Sequence, residues 1–258
     1  MIPNLEDDRV EWEGPTDGKG IAPRRQHRDV FVTGGTGYIG GRLIPALLNR
    51  GHRVRALVRS GSEHRLPSGC GVVVGDALDR RTFATRVARA DTLVHLVGTP
   101  RPSPAKARAF REVDLASVRE AVAAAVDAGV SHFVYVSVAH PAPIMRAYIA
   151  ARAEGEALIR NAAVSATILR PWYVLGPGRR WPYLLKPTYW LLERIPATRE
   201  SATRLGLITL DQMIAALTGA VENPAHDVRI LSVPDMRRPH ALCSVSSDAA
   251  LGAAGGPV

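Results

Sequence analysis

Cysteine is nearly absent: the 258-residue chain holds two, Cys70 and Cys243. Two cysteines cannot build a disulfide framework or a Cys-rich zinc site, and a reducing cytoplasm is the expected compartment. Long apolar runs are missing as well. No stretch approaches the roughly 18–20 residues that span a bilayer, which speaks against an integral membrane protein. Residues 1–28 lack the apolar core of a secretory signal. Lysine is scarce: of 33 basic residues only Lys19, Lys106 and Lys186 are lysines, so arginine carries the formal net charge of +9. A nucleic-acid face would focus that charge. Here the arginines are scattered, which suits a coding bias toward arginine, and no nucleic-acid partner is expected. What remains is ordinary: 46% apolar and 22% charged residues suit a globular chain and not a disordered one. The length fits one α/β domain with tails.

Polar, Pro- and Gly-containing residues 1–28 read as a flexible leader, and Ala/Gly/Ser-rich residues 239–258 as a disordered tail. Between them, β-rich and helical segments alternate. Strands are expected at 29–33, 54–58, 71–74, 92–97, 132–137 and 166–169. Helices are expected at 38–50, 80–87, 105–128 and 144–162. Pro45 inside the first helix removes the amide bond to Gly41, so a local kink is expected. Five or more such alternations predict a Rossmann-type, doubly wound parallel sheet with helices on both faces. After Pro171 the pattern changes. A strand at 206–210, a helix at 211–222 and a strand at 228–233 are read as part of a small C-terminal cap, about 172–238, on a domain spanning 29–238.

The strongest motif is Thr33-Gly34-Gly35-Thr36-Gly37-Tyr38-Ile39-Gly40. It follows an apolar strand and opens a helix, the context a dinucleotide-binding loop requires. Gly34 allows the sharp exit from the strand. Gly37 lets the backbone approach a pyrophosphate, and Gly40 lets the helix pack closely. Free amides at the helix start then face the phosphates. Gly34, Thr36, Gly37, Tyr38, Ile39 and Gly40 are the expected loop contacts. The second strand ends Val58-Arg59-Ser60, with no acid before Glu63. An acid there would bind a ribose 2′-hydroxyl and repel a 2′-phosphate, whereas a guanidinium grips phosphate. NADP is therefore expected over NAD, with Arg59 as its reader; the alternative for Arg59 is a solvated surface charge.

These residues resemble the short-chain dehydrogenase/reductase superfamily, in its extended and atypical branch with NmrA-like and epimerase-like members. The resemblance runs over roughly 29–235. It is carried by the glycine motif, Val73-Val74-Gly75-Asp76, Leu93-Val94-His95-Leu96-Val97-Gly98, Phe133-Val134-Tyr135-Val136-Ser137, Thr167-Ile168-Leu169-Arg170-Pro171 and Leu207-Ile208-Thr209-Leu210-Asp211. It implies that Asp76, with Ala77 beside it, caps the adenine. It also implies that Leu96, Val97 and Gly98 run along the cofactor. The superfamily's catalytic set is a Ser or Thr, a Tyr that serves as acid/base, and a Lys four residues later that binds the ribose. Here the match is Tyr148 and Arg152: the spacing is intact but the lysine is arginine. Arginine keeps the cation that favours a tyrosinate, yet the exchange is not conservative. Ser137, followed by Val138, either faces the cofactor or merely ends its strand, and His140 adds a titratable group nearby.

Two functions follow. One is an NADP(H)-dependent oxidoreductase or isomerase acting on an unidentified small molecule, with Tyr148 as acid/base, Arg152 as ribose clamp and Ser137 as orienting hydroxyl. The other is a non-catalytic dinucleotide-binding sensor or accessory subunit, as in the NmrA-like regulators and a complex I accessory subunit. Intact spacing favours the first; the missing lysine and Val138 favour the second. Six of the 14 aromatics lie between Trp172 and Trp190. Segment 181–192 either packs as part of the cap, lines an apolar pocket, or contacts a protein or membrane surface.

Overall fold

The computed structural model describes residues 27–142, 144–177 and 204–238. The expected leader, tail and aromatic segment 181–192 therefore fall almost wholly outside the described residues.

Seven strands form one parallel sheet: β1 (Asp29–Thr33), β2 (Arg53–Val58), β3 (Gly71–Val74), β4 (Thr92–His95), β5 (His132–Val136), β6 (Ala166–Leu169) and β9 (Val228–Leu231). A separate two-stranded sheet joins β7 (Tyr173–Leu175) to β8 (Leu207–Thr209). The main order is β3-β2-β1-β4-β5-β6-β9, and every neighbouring pair is parallel. The expected doubly wound sheet is present. The chain winds outward from β1 to β3, then crosses to β4 on the other side of β1. That reversal opens a crevice beyond the carboxyl ends of β1 and β4, where this architecture binds ligands.

Strand alternation builds two cores. Phe31, Leu93, Phe133, Tyr135 and Ile168 point to one face. There they meet α4 (Ala116–Asp127) and α5 (Arg146–Asn161). Val30, Val32, Val94, Val134 and Leu169 point to the other, under α1 (Gly40–Asn49) and α6 (Leu210–Glu222). Burial on both faces explains the near-continuous apolar runs in these strands.

Several bounds differ from the expectations. The 80–87 segment divides into a 3₁₀ turn (Arg80–Thr82) and α2 (Ala84–Val87). Strand β4 stops at His95, and Leu96 N–H makes the last bond to β1, donating to Thr33 O at 3.1 Å. Helix α1 runs continuously through Pro45. The 105–128 helix is composite: a 3₁₀ turn, α3 (Ala107–Ala109), a π-helical segment (Phe110–Leu115) and then α4. Of the stretch assigned to a cap, β9 is part of the main sheet, pairing in parallel with β6. Beyond it, α7 (Val233–Arg237) is held by a capping box between Ser232 and Asp235. Among the described residues no helix is long and apolar enough to cross a membrane.

Candidate functional site

The glycine loop occupies the mouth of the crevice. Gly34 has φ +75°, a left-handed conformation that disfavours side chains. A Cβ there would also lie 2.8 Å from the Leu96 carbonyl carbon and 2.9 Å from Val97 N, so the loop rests directly on the backbone of 96–97. A Cβ on Gly40 would come within 2.5 Å of Gly34 O, which is how closely α1 abuts the loop. Gly37 meets only Gly34 O, at 3.1 Å, and its other side is open. No side chain caps α1; the Gly41 and Arg42 amides of its first turn donate to Gly37 O and Ile39 O, at 2.9 and 3.0 Å. Ile39 packs into the core, and the Tyr38 hydroxyl lies against Gly176. Arg59 is exposed just past β2. Asp76, at the end of β3, accepts Leu78 N–H at 2.9 Å through Oδ1, and Ala77 packs on the core. Leu96, Val97 and Gly98 are partly buried along the other lip. The positions expected around a dinucleotide thus follow one edge of the sheet.

Tyr148 and Arg152 lie together on α5. The Arg152 Cζ sits 5.3 Å from the Tyr148 ring centroid and 5.8 Å from that of Tyr135, so the cation lies between two aromatic faces. Tyr148 also packs on Phe110 at 5.0 Å. Arg152 is buried, with 7% of its side chain exposed. Its Nη2 donates to Asp114 Oδ1 at 2.6 Å and its Nη1 to Val136 O at 3.0 Å. The guanidinium presses against Gly98, where any Cβ would strike Nη2. Burial opposes the guanidinium charge, but Tyr148, Tyr135 and Asp114 outweigh it and hold the proton more tightly than usual.

Asp114 was not singled out in the sequence, and it is a hub. Its other oxygen accepts Thr99 N–H at 2.8 Å and Thr99 Oγ–H at 2.5 Å. One fully buried carboxylate thereby ties the loop after β4 to the cation on α5. The π-helical segment places it there. Beneath the crevice, His95 bonds Thr33 Oγ1 at 2.8 Å across the β4–β1 pair and lies 3.3 Å from Ser117 Oγ. Burial, then the Arg152 charge, pushes its imidazole down to about 3, so it is neutral at ordinary pH.

Ser137 follows Val136, whose carbonyl Arg152 binds, but its own hydroxyl bonds Glu156. It is buried and donates to Glu156 Oε1 at 2.7 Å. Arg170 makes a two-pronged bond to the same carboxylate, at 2.9 and 2.5 Å. His140 Nε2 is 3.4 Å from Oε1. Burial pushes the Glu156 carboxyl up, but hydrogen bonds from Arg170 and Ser137 prevail and hold it below the usual range. Ser137 therefore donates its proton inside a structural network, and Val138 and Ala139 after it are buried apolar residues.

The glycine loop with its β–α–β frame also matches a known family model. Residues 34–180 fit the family described as NAD(P)H-binding. The chain belongs to that family. Within it the chain is 31% identical over 224 residues to a 3-diazoavenalumate denitrifying reductase from a Streptomyces species, covering 76% of this chain and 73% of the relative. It is 28% identical over 227 residues to a ceramide reductase from Caulobacter vibrioides, covering 86% and 67%. The fold matches the enzyme WbmH of Bordetella bronchiseptica, solved with NAD+, with a TM-score of 0.62 at 19% identity over 80% of this chain and 76% of that one. The expected membership of the extended short-chain dehydrogenase/reductase superfamily is confirmed, and the chain is an NAD(P)-binding, oxidoreductase-like member of it.

For this NAD(P)H-binding protein, three residues matter that sequence reasoning passed over. Asp114 sits on what reads as an unbroken Ala/Val helix, and nothing in the periodicity marks the π turn. Glu156 was legible in principle, since it follows Arg152 by four residues and Tyr148 by eight, on the same helical face. Arg65 reaches the glycine loop, donating from Nη2 to Thr36 O at 2.8 Å.

Proposed function

We propose that the protein is an NADP(H)-dependent oxidoreductase that reduces a carbonyl group, or oxidises the matching alcohol, on a small organic molecule. The observation that carries this reading is Tyr148 packed on the buried Arg152–Asp114 pair at the crevice, where the guanidinium's bonds to Asp114 and Val136 use two of its five N–H donors. A buried N–H without a partner is costly unless a ligand satisfies it. The residues fit a dinucleotide: the loop Gly34–Gly40 leaves room for pyrophosphate, and Arg152 retains a donor for a ribose hydroxyl. Bound there, a nicotinamide cofactor supplies or accepts the hydride. Tyr148 donates the proton to the oxygen that gains negative charge, or removes it in the reverse direction. Arg152 keeps a fixed positive charge beside the Tyr148 ring. Arg59, exposed and without an ion pair among the described residues, favours a 2′-phosphate and hence NADP over NAD. The reductase relatives are in keeping with this chemistry. So is the cytoplasm as its compartment: Cys70 is a free thiol that burial pushes up to about 11, an unreactive state.

One observation favours the alternative of a non-catalytic dinucleotide sensor or accessory subunit. Ser137, the expected orienting hydroxyl, donates to Glu156 instead of the site. A substrate panel of aldehydes, ketones, quinones and sugar nucleotides, run with NADPH on wild type and Tyr148→Phe, separates the two. The enzyme reading expects turnover that falls about 10²–10⁴-fold in the variant with nucleotide affinity unchanged. NADPH binding with a silent panel supports the sensor.

A further inference from the structure

At the end of the sheet away from the crevice, the face under α6 turns from apolar to polar. Val30 pairs with Thr92, Thr92 with His132, Val134 with Thr167, and Thr167 with Arg229. Cross-strand partners share a face, so Thr92, His132, Thr167 and Arg229 all lie on the side of Val30 and Val134. Arg28, two residues before Val30, starts the same face just ahead of β1. Thr92, His132 and Thr167 have no exposed surface.

The hydrogen bonds here leave donors over. Arg229 Nη2 donates to Asn223 O, at the end of α6, at 2.6 Å and to Thr167 Oγ1 at 3.2 Å. Thr167 Oγ1 lies 3.0 Å from His132 Nε2. The oxygen that accepts from Arg229 still has its own proton to give, and Nε2 takes it, which assigns the imidazole hydrogen to Nδ1. Among the described residues, His132 Nδ1, Thr92 Oγ1, Arg28 Nε and Arg229 Nε are buried without a hydrogen-bond partner. Every one of these groups can donate.

The charge points the same way. Arg28 and Arg229 start strands on opposite sides of β5, and both charges act on the His132 imidazole. The carboxylates at this end have other partners: Asp29 holds Arg53, Asp91 accepts the Asp29 N–H, and Glu222 holds Arg50. Among the described residues no carboxylate pairs with Arg28 or Arg229, and burial works against the Arg229 cation. Buried donors without an acceptor are costly, and so are half-buried cations without a counter-ion. An anion answers both, and the full burial of Thr92 and His132 requires it to be small.

We propose that this end of the sheet is an anion site, where one chloride-sized inorganic anion takes hydrogen bonds from His132 Nδ1, Thr92 Oγ1 and Arg229 Nε, with Arg28 as the second positive charge. It lies at the opposite end of the strands from the glycine loop and is independent of the cofactor reading. The test is urea unfolding of the full chain at neutral pH in sodium chloride and sodium gluconate, mixed at constant ionic strength so that screening stays the same. An anion that binds only the native state raises the folding constant about tenfold for each tenfold rise in chloride above its Kd. Gluconate is too large to enter. Thr92→Val keeps the side-chain shape and removes one donor, and Arg229→Met removes a cation; each should flatten the chloride dependence. Wild type without that dependence, or a dependence that survives in both variants, overturns the proposal. Bromide-soaked crystals of wild type need no variant to fold: an anomalous peak between His132 and Arg229 supports the site, and water alone at that place refutes it.

Discussion

Asp114→Asn isolates the feature that most distinguishes this site. The carboxylate is fully buried and takes three hydrogen bonds: one from Arg152 and two from Thr99. An asparagine keeps the shape but has one acceptor oxygen and one NH2 group. Whichever way it turns, its NH2 faces a donor, either the guanidinium or the Thr99 pair. Arg152 cannot shed its proton to escape. A buried cation is then left without its counter-ion, which costs about 3–5 kcal/mol. That is a third or more of a typical domain's stability. With a urea slope near 2 kcal/mol per molar, the midpoint should fall by roughly 1.5–2.5 M. Urea unfolding followed by circular dichroism at neutral pH measures it. Removing both charges, in Asp114→Asn with Arg152→Gln, should recover much of the loss, because a buried pair often contributes little net stability over a neutral replacement. A single variant within about 0.5 kcal/mol of wild type, a change typical of surface sites, would refute the reasoning: the pair would then be neither dry nor required.

Acid should destabilise the protein well above the carboxylate range. His95 and His132 are fully buried; each is held down to about 3, by burial first and then by Arg152 for one and by Arg229 and Arg28 for the other. The unfolded chain protonates them near 6.5, so their contribution is complete above that pH and is lost as pH falls toward 3. Each should cost about 2 kcal/mol between pH 7 and pH 5, read as a falling urea midpoint; a flat midpoint over that range contradicts the neutral buried imidazoles. Below about 4.5 the depressed Glu156 carboxyl adds a further loss of the same sign. Gly155→Ala places a Cβ 2.6 Å from the Tyr135 hydroxyl and 3.1 Å from Val118 Cγ1, a strain of about 1–3 kcal/mol that outweighs the roughly 1 kcal/mol gained in helix propensity. Adding Tyr135→Phe removes the atom that the new Cβ strikes and should restore the melting temperature; failure to do so would place the strain elsewhere. Gly37→Asp sets a carboxylate where the loop is open to phosphate and should abolish NADPH binding in calorimetry while the circular dichroism spectrum stays native; unchanged affinity would remove the loop from the site.

The sheet was legible because its strands are short, apolar and separated by helical stretches that end at Gly51 and Gly129, both at positive φ. The cofactor edge was legible for the same reason: a glycine loop between strand and helix has few other uses. The catalytic end was less so. Tyr148 and Arg152 could be found from the resemblance to the superfamily's Tyr and Lys, but the resemblance does not reveal that Arg152 turns inward to Asp114, since the partner is 38 residues away and enters through a π turn. Ser137 showed the limit from the other side. A hydroxyl at the end of β5 has two faces to choose from, and the choice depends on Glu156, also distant in sequence. The three-residue β7 carried too little pattern to detect. The helix α7 was missed as well, because the expected strand ran on to 233, although Ser232-Val233-Pro234-Asp235 has the form of a capped helix start.

The most direct measurement is a crystal structure with NADP+ bound. The account predicts that the Arg152–Asp114 bond stays intact while a further Arg152 N–H takes a ribose hydroxyl at about 2.7–3.2 Å, and that the Tyr148 hydroxyl stands beside nicotinamide C4. A nicotinamide turned away from Tyr148, with no ribose hydroxyl on Arg152, would contradict it.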